Sequence, residues 1–461
     1  MKNADLFQHE QDFPDFDGAG AVRRLSQAIA FETVSYVDTA RIRYGEFTAL
    51  HAFLQQSYPL VFQNASLETV GYSLLITLPG SDESLKPALF MAHQDVVPVI
   101  PGTEADWRYP PFSGAVADGY IWGRGAMDIK EMLIGILEAA EYHLRSGKGF
   151  RRTVYIALGE DEETRSTGAR GIAKLLEDRG VALEFVLDEG AGDVSSAEDY
   201  GAPGLLVCPI GIYEKGYADL KLSVKSRGGH SSNPFHGTSL GLLARAITAV
   251  LEHPLPPRLP DCVKRTLAQL TPHITQAPIA DYVRDIEGNE ENILNWFLVR
   301  ESLYHQVQTT AAPTQITPGA PAGNVMPQAM EAVINFRLAP PDTPESLLAH
   351  FRKWIDPAVA LDYVQCIAPS RPSEIDSYGY QSLQAVLERY FALTFIPVQN
   401  RGATDARNYE GLCRCCLRFG PFLEEEDISA EGIHGTNERI SIRAYLQGIR
   451  VLIKLMEETC L

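Results

Sequence analysis

Residues 154–164 read VYIALGEDEET, an apolar run followed by four consecutive carboxylates, Glu160, Asp161, Glu162 and Glu163. The apolar part predicts a buried strand, because short continuous runs of this kind are typical of sheets covered on both faces. Acidic runs are more often solvated loops or helix starts, where carboxylates lie near the positive end of the helix dipole. The carboxyl end of this strand is therefore either a solvated loop or a functional site, and its surroundings must decide.

Further elements of the same kinds surround this strand. Apolar runs resembling it are ALFMAH (88–93) and LEFVLDE (183–189). Helical spacing of apolar residues occurs at Val22, Leu25 and Ile29, and again along IKEMLIGILEAAEYHLR (129–145). Strands that alternate with amphipathic helices predict an α/β fold with helices on both faces of the sheet.

The pattern changes near residue 211. Leu220, Leu222 and Val224 alternate as in a half-exposed strand, and the helical stretch SLGLLARAITAVLEH and the strand-like EAVINFRL follow. This combination predicts an inserted α+β domain whose sheet is covered on one face. The Pro-rich stretch PSRPSEID (369–376) is a plausible return point. We therefore expect a first domain formed by 1–210 and 375–461, and an insert formed by 211–374.

Composition narrows the classes of partner and compartment. The chain has 461 residues with 40 Lys and Arg against 59 Asp and Glu, a formal charge of −19, which disfavours nucleic acid and anionic membranes as partners. We find no signal-peptide pattern and no apolar stretch near the roughly 20 residues that span a bilayer, so a soluble, cytoplasmic protein is expected. Seven cysteines without regular spacing do not form a disulfide framework. Cys413, Cys415 and Cys416 lack a complete tetrahedral set, which favours reduced, partly buried thiols over a zinc site.

Acids and histidines also stand at or near the ends of other predicted elements. They are His93 and Asp95 after one strand, Asp188 at the end of another, Asp128 before the second helix, and His434 near the C-terminus. Each is weak evidence alone, since a single Asp before a helix is more often an N-cap. The carboxyl ends of strands in an open α/β sheet meet at one crevice, where these residues and the acidic run could converge.

A crevice of this composition needs cations. Asp95, Asp128, Glu162, Glu163 and Asp188 together would repel one another and raise their own pKa values unless positive charge neutralised them. Imidazoles combined with carboxylates are the ligands that suit zinc or a similar divalent ion. The residues themselves thus predict a metal site.

Six stretches, in this order, carry a family resemblance: MAHQDVVPV, DGYIWGRGAMDIK, ALGEDEE, FVLDEG, GGHSSNP and GIHGTNE. They resemble those of the two-zinc aminoacylase and carboxypeptidase family, in particular the branch with carboxypeptidase S and the N-acyl amino acid hydrolases. The resemblance implies a zinc-dependent exopeptidase-like catalytic domain with a mixed sheet, interrupted by a smaller lid domain that often forms a dimer interface. One departure is Thr164-Arg165-Ser166, where relatives commonly have a glycine-containing turn.

The resemblance also implies a role for each matching residue. Asp128 would bridge two divalent ions, zinc or alternatively cobalt or manganese, with His93 and Asp188 completing one ligand set and Glu163 and His434 the other. Asp95 would orient His93. A water between the metals would attack the substrate carbonyl, and Glu162 would first take its proton and later deliver it to the leaving amine.

Four residues are expected to contact the substrate. His230 resembles the family's lid histidine, which stabilises the tetrahedral oxyanion within one chain or across a dimer. Asn324 and Arg337 resemble its lid pair for the substrate carboxylate, and Arg407 is a second candidate, since a guanidinium grips a carboxylate with two hydrogen bonds.

These residues together predict a metal-dependent hydrolase that cleaves an amide or peptide bond next to an amino acid with a free C-terminal carboxylate. The substrate is a small molecule, either a peptide or an N-acyl amino acid, and the lid makes a homodimer possible. A dipeptidase of the same family is the alternative within the enzymes. A metal-free binding protein that keeps the fold is the alternative outside them, although such a protein has no evident reason to retain five mutually repelling acids, Glu162 among them.

Overall fold

The computed structural model describes residues 7–13, 15–317, 319, 322–400, 402–424 and 432–461. Backbone contacts divide the chain into two compact units. Unit 1 comprises the described residues of Met1–Ser196, Leu205–Ile212 and Pro372–Leu461, and unit 2 comprises those of Ala197–Gly204 and Tyr213–Arg371. The short segment 197–204 thus groups with the insert, whereas the sequence analysis places it in the first domain.

Strands and helices are numbered in chain order. The strands are β1 (Ser66–Val70), β2 (Ser73–Leu78), β3 (Ala88–His93), β4 (Ala115–Ala117), β5 (Tyr120–Trp122), β6 (Val154–Gly159), β7 (Phe185–Asp188), β8 (Ser195–Ser196), β9 (Leu206–Glu214), β10 (Gly216–Lys225), β11 (Gly229–His230), β12 (Thr310–Thr317), β13 (Val325–Met326), β14 (Ala329–Leu338), β15 (Val359–Ile367), β16 (Thr394–Asn400), β17 (Cys416–Arg418) and β18 (Arg439–Ser441). The helices are α1 (Gly18–Ile29), α2 (Tyr44–Ser57), α3 (Pro59–Asn64), α4 (Lys130–Arg145), α5 (Thr167–Asp178), α6 (Ser239–Glu252), α7 (Asp261–Leu270), α8 (Ile279–Tyr282), α9 (Glu290–Leu298), α10 (Pro344–Phe351), α11 (Tyr378–Tyr390) and α12 (Ile442–Cys460). Across the described ranges, none of these helices has the length and apolar character that crossing a membrane requires.

The large sheet of unit 1 has the order β1-β2-β6-β3-β7-β17-β9-β16, with β8 beside β9. β3 is parallel to β6 and β7, whereas β2 is antiparallel to β1 and β6. Every residue of β3 is buried, so both faces of the sheet are covered there, and α4 packs against β3 while α5 packs against β6. The mixed α/β fold expected from the sequence is confirmed.

α4 is the central helix of unit 1. Its apolar stripe was predicted over 129–145, and the structure begins the helix at Lys130 and ends it at Arg145. Nearly all of its residues are buried, because it packs against α1, α3 and α12 as well as β3. Asp128 lies just before its first turn and is therefore held at the end of a rigid element.

A small three-stranded sheet, β18-β5-β4, joins two distant parts of the chain in unit 1. β18 pairs with β5 so that Arg439 is opposite Trp122 and Ser441 is opposite Tyr120. The segment that leads to Asp128 is thereby fixed beside the segment that follows His434. This pairing was not anticipated from the sequence, because its strands are only three residues long.

Unit 2 is built on an antiparallel sheet of order β12-β14-β10-β15. Along β10 the residues Ala218, Leu220, Leu222 and Val224 are buried, while the alternate residues are partly exposed. These buried side chains pack with Phe336 of β14 and with α6 and α10. The alternation predicted for the insert corresponds to a sheet with one face in a hydrophobic core.

Candidate metal centre

The candidate centre of unit 1 lies where parallel strands end. β3 ends at His93 directly opposite Gly159, the last residue of β6, and β7 ends at Asp188 on the other side of β3. Parallel strands present their carboxyl ends at the same edge of a sheet, so residues that follow them converge. This register explains why His93, the acidic run after β6 and the acids at the end of β7 meet.

His93 is the most deeply buried histidine of the centre, with 1% of its surface exposed. Its Nδ1 lies 2.9 Å from the carbonyl oxygen of Asp95, which can only accept, so Nδ1 carries the proton. Its Nε2 lies 3.1 Å from Asp128 Oδ1 and 3.5 Å from Glu189 Oε1. A nitrogen lone pair that faces two carboxylate oxygens requires a cation or a second proton between them.

His434 has a similar environment on the other side of Asp128. Its Nε2 lies 3.0 Å from Asp128 Oδ2 and 3.1 Å from Glu163 Oε2. Hydrogen bonds that His434 donates to the Asp128 and Glu163 carboxylates raise its pKa to about 10. Two groups of possible metal ligands therefore form among the described residues, one with His93, Asp128 and Glu189 and one with Asp128, Glu163 and His434.

Glu189, and not the predicted ligand Asp188, lies in the group with His93 and Asp128. The Asp188 carboxylate accepts the backbone N–H of Glu189 at 2.9 Å and that of Ala406 at 2.7 Å, and Asp188 belongs to neither group. Adjacent side chains at a strand end point in opposite directions, so the choice between the two acids is a choice of strand face. The signal for Glu189 was present in FVLDEG, but spacing alone did not rank it above its neighbour.

Asp95 anchors the backbone of the acidic run. Its carboxylate is fully buried and accepts the N–H groups of Glu162 and Glu163, each at 3.2 Å. Its Oδ1 is also 3.4 Å from Nδ1 of His93. Asp95 is therefore in contact with the backbone of both glutamates and with the ring of His93.

The four acids of the opening stretch divide into two pairs. Glu160 accepts the backbone N–H of Tyr72, in the turn between β1 and β2. Asp161 accepts the hydroxyl of Thr167 and, at 3.0 Å, the N–H of Gly168 in the first turn of α5. These two carboxylates hold backbone, whereas Glu162 and Glu163 remain for the centre.

The loop after the acidic run compensates for the missing glycine. Ser166 takes the left-handed conformation with φ 51° that glycine adopts most readily, and its side chain does not cap α5. The carbonyl oxygen of Asp161 accepts the N–H groups of Arg165 at 2.8 Å and Ser166 at 2.7 Å. Asp161 thus closes the loop with its backbone and caps the helix with its side chain.

The electrostatics of the centre fit bound cations. Burial raises the pKa of Glu162 well above its usual range, and the Glu189 carboxylate raises it further. Burial likewise raises the pKa of Glu189 to about 8. Burial also raises the pKa of Asp128, but hydrogen bonds with His434 and His93 outweigh it and hold the value below the usual range. Divalent cations would relieve the repulsion among the glutamates, and the donor set of imidazoles and carboxylates suits them.

Three of the expected substrate residues belong to unit 2. The short pair of β11 and β13 sets His230 opposite Val325, and the carbonyl of Asn324 accepts the N–H of Ser231 at 3.0 Å, so His230 and Asn324 are neighbours. The N–H of Ser232 donates to His230 Nδ1 at 3.1 Å. In the neutral imidazole the proton must then be on Nε2, which makes Nε2 a donor.

The remaining two candidates are arginines. Arg337 is exposed on β14, in unit 2, and its guanidinium lies 4.9 Å from the ring centre of Tyr217. Arg407 is half-buried in unit 1, in the short helix Asp405–Tyr409. Its neighbour Ala406 donates to Asp188, so this short helix is tied to the end of β7.

The cysteine cluster is part of the core. Cys413, Cys415 and Cys416 are buried and all seven cysteines are free thiols. Cys413 Sγ accepts the N–H of Cys415 at 3.3 Å. Within the described residues, the ligand groups close enough to hold a metal contain no cysteine.

Comparison with known proteins identifies the family of the chain. The profile of "Peptidase family M20/M25/M40" matches residues 89–458. "Probable carboxypeptidase S-like 2" of Dictyostelium discoideum is 33% identical over 98% of this chain and 87% of its own. The human "N-fatty-acyl-amino acid synthase/hydrolase PM20D1" is 32% identical over 94% of this chain and 86% of its own.

Solved structures support the fold. The M20 family metallo-carboxypeptidase Sso-CP2 from Sulfolobus solfataricus superposes with a TM-score of 0.66 at 18% identity, covering 95% of this chain and 98% of that one. Human carnosine dipeptidase 1 superposes with a TM-score of 0.65 at 15% identity, covering 100% and 99%. The chain therefore belongs to peptidase family M20/M25/M40 and is a metal-dependent hydrolase of amide or peptide bonds.

Proposed function

We propose that this enzyme cleaves the amide or peptide bond that precedes an amino acid with a free carboxylate, using two metal ions held by unit 1. The observation that carries the proposal is the shared carboxylate of Asp128, whose Oδ1 lies 3.1 Å from His93 Nε2 and whose Oδ2 lies 3.0 Å from His434 Nε2. One carboxylate between two imidazoles is the arrangement expected of a bridging ligand.

Glu189 would complete the ligand set of one ion and Glu163 that of the other. This assignment replaces Asp188, since both of its oxygens accept backbone N–H groups. We propose zinc as the ion, with cobalt or manganese as substitutes, because histidine nitrogen and carboxylate oxygen together suit these metals. When bound, the ions polarise the scissile carbonyl and lower the pKa of the attacking water.

Glu162 would move the proton. Its backbone is held by Asp95 and its carboxyl has a raised pKa, which brings it nearer to the value at which a group both accepts and donates a proton near neutrality. It would accept the proton of the water and later give it to the leaving amine. Asp95 contributes by keeping Glu162 and Glu163 in fixed directions, so that the first faces the reacting atoms.

Unit 2 would supply the groups that contact the substrate. The Nε2–H of His230 is a fixed donor and would stabilise the oxyanion of the tetrahedral intermediate. Asn324 and Arg337 would bind the free carboxylate, with Arg407 of unit 1 as the second candidate. We propose that unit 1 is the catalytic domain and unit 2 the lid.

The two substrate classes share the amino acid that is released and differ in the acyl group or peptide from which it is cleaved. One relative is named a probable carboxypeptidase and the other an N-fatty-acyl-amino acid synthase/hydrolase. We propose that peptides and N-acyl amino acids are both candidate substrates here. Relatives with either kind of name match at similar identity, 33% over 98% of the chain for the carboxypeptidase and 32% to 34% over 94% for the acyl-amino acid enzymes, so both substrate classes are tested side by side.

The decisive assay measures release of the free amino acid from N-acyl amino acids and dipeptides by the purified protein, before and after removal of metal with a chelator. Glu162→Gln should lower kcat by about 10²- to 10⁴-fold at unchanged metal content. Glu160→Gln is the matched control, because a glutamine can still accept the N–H of Tyr72 and should retain turnover. Full turnover after removal of metal would sink the metal mechanism, and full turnover of Glu162→Gln would remove this residue from proton transfer.

We also propose a homodimer formed through unit 2 and a cytoplasmic location. The edge strands of the unit 2 sheet, β12 and β15, are largely exposed and offer backbone groups for pairing. Free thiols at all seven cysteines suit a reducing compartment. Analytical ultracentrifugation of the protein tests the first proposal, and a monomer at micromolar concentration would contradict it; fractionation of the source cell tests the second.

A further inference from the structure

One buried ion pair connects the segment before Asp128 with the segment after His434. Arg124 Nη1 lies 2.6 Å from Glu438 Oε2, and the two side chains are 2% and 0% exposed. The two residues are four positions away from Asp128 and His434, respectively. Charges buried this completely are costly to desolvate and need partners of opposite charge or hydrogen bonds. Both terminal nitrogens of Arg124 have such partners, whereas its buried Nε has none among the described residues.

The carboxylate of Glu438 holds the backbone that leads to Asp128. Its Oε1 accepts the N–H groups of Gly125 and Met127, both at 2.9 Å. The carbonyl oxygen of Glu438 accepts the N–H of Gly123 at 2.9 Å. Three backbone donors in the five residues before Asp128 are thus bound to a single residue of the His434 segment.

Arg124 makes the reverse connection. Its Nη2 donates to the carbonyl oxygen of Gly435 at 2.8 Å, directly after His434. His434 has φ 60°, in the left-handed region that a bulky residue adopts only where its surroundings impose it. The Arg124 guanidinium is part of those surroundings, because it fixes the Gly435–Thr436 peptide, one residue beyond His434.

We propose that Arg124 and Glu438 are positioning residues that set the separation of Asp128 and His434, and thereby the affinity of the second ligand group, Asp128, Glu163 and His434, for its ion. The inference rests on the proposed two-metal function. It goes further because it makes the affinity for one ion depend more strongly on this pair than the affinity for the other ion does. His93 ends a fully buried strand and is held by the sheet, whereas His434 lies half-exposed on a loop outside it.

The test is a titration of metal-free, full-length protein with cobalt(II), followed by calorimetry and by the visible absorption of the bound ion. Wild type should bind two equivalents. Arg124→Lys keeps the charge but cannot span both Glu438 and Gly435, so it should bind the first equivalent within about 3-fold of wild type and the second about 10- to 100-fold more weakly. Raised cobalt should restore its turnover, which a loss of folding would not allow.

A matched control separates positioning from general loss of an ion pair. Arg24 pairs with Glu138 between α1 and α4, and Arg24→Lys should leave both cobalt affinities unchanged. If Arg124→Lys fails to fold, the titration is done instead with the double variant Arg124→Met with Glu438→Gln, which leaves no uncompensated buried charge. Failure of both variants to fold would show that the pair is only structural and overturn the inference.

The outcomes distinguish the two proposals. Wild type that binds fewer than two equivalents contradicts the two-metal function and the inference with it. Wild type that binds two equivalents, together with an Arg124→Lys variant that binds both as tightly or loses both equally, contradicts only the inference. Selective loss of one equivalent supports both.

Discussion

Replacing Asp161 with alanine should loosen the start of α5. The Asp161 carboxylate accepts the Thr167 hydroxyl and, at 3.0 Å, the N–H of Gly168, and it is 2% exposed. Ser166, the residue in the N-cap position, makes no side-chain cap, so Asp161 performs this function from outside the helix. Asp161→Ala therefore removes the cap and leaves two donors without their acceptor.

The magnitude follows from these contacts. A lost helix cap costs about 1 kcal/mol, and a hydrogen bond to a charged acceptor is worth about 1.5–3 kcal/mol. The ion pair with Arg165 adds little, because Arg165 is 35% exposed and 3.4 Å away. We expect the free energy of local opening to fall by about 2.5–4 kcal/mol, which corresponds to about 60- to 700-fold faster amide exchange.

Hydrogen–deuterium exchange measured by mass spectrometry on peptides covering 161–178 gives this quantity directly. Asp178→Ala is the matched control, since Asp178 lies at the other end of the same helix in an exposed pair with Lys174 and should change exchange little. Exchange in Asp161→Ala that equals wild type would exclude the capping role of Asp161. It would also fail if the control accelerated exchange to the same extent.

Two further predictions concern unit 2. Burial lowers the pKa of Lys215 to about 7 in the folded protein, against 10.5 in the unfolded chain. Between these two pH values the unfolded chain binds one more proton, so the free energy of unfolding rises with pH by up to about 1.4 kcal/mol per unit. Lys215→Met should abolish this part of the slope in urea denaturation, and an unchanged slope would contradict the lowered pKa of Lys215. His230→Ala should lower kcat by roughly 10²- to 10³-fold at unchanged cobalt content. Ser232→Ala keeps the backbone N–H that donates to His230 and should lower kcat by less than about 10-fold. Steady-state kinetics measure both effects, and a fully active His230→Ala would exclude the oxyanion role.

The central elements of unit 1 were predictable because their apolar patterns are long. β3 and β6 coincide with the runs that end at His93 and Gly159, and α4 differs from its predicted start by one residue. Convergence of acids and histidines at one edge followed from parallel strands. Short strands such as β4, β5 and β18 have too few residues to show a period, so their pairing was not predicted.

The finer assignments depended on contacts that local sequence does not encode. Glu189 and Asp188 are adjacent acids, and only the strand face that each occupies tells them apart. The pairing of Arg124 with Glu438 spans 314 residues, a separation at which no spacing rule applies. The backbone roles of Glu160 and Asp161 likewise appear only when the turn between β1 and β2 and the start of α5 are in place.

The arrangement explains how so many acids can share one strand end. Asp95, Glu160 and Asp161 direct their carboxylates at backbone N–H groups, which stabilise negative charge without any bound ion. The acids without such donors, Glu163 and Glu189, instead face His434 and His93. Asp128 faces both imidazoles at once. The fold thus stabilises the negative charge of some carboxylates with backbone N–H groups and gathers the other carboxylates around the two imidazoles. Cations are therefore attracted to the positions where the proposed hydrolytic chemistry needs them.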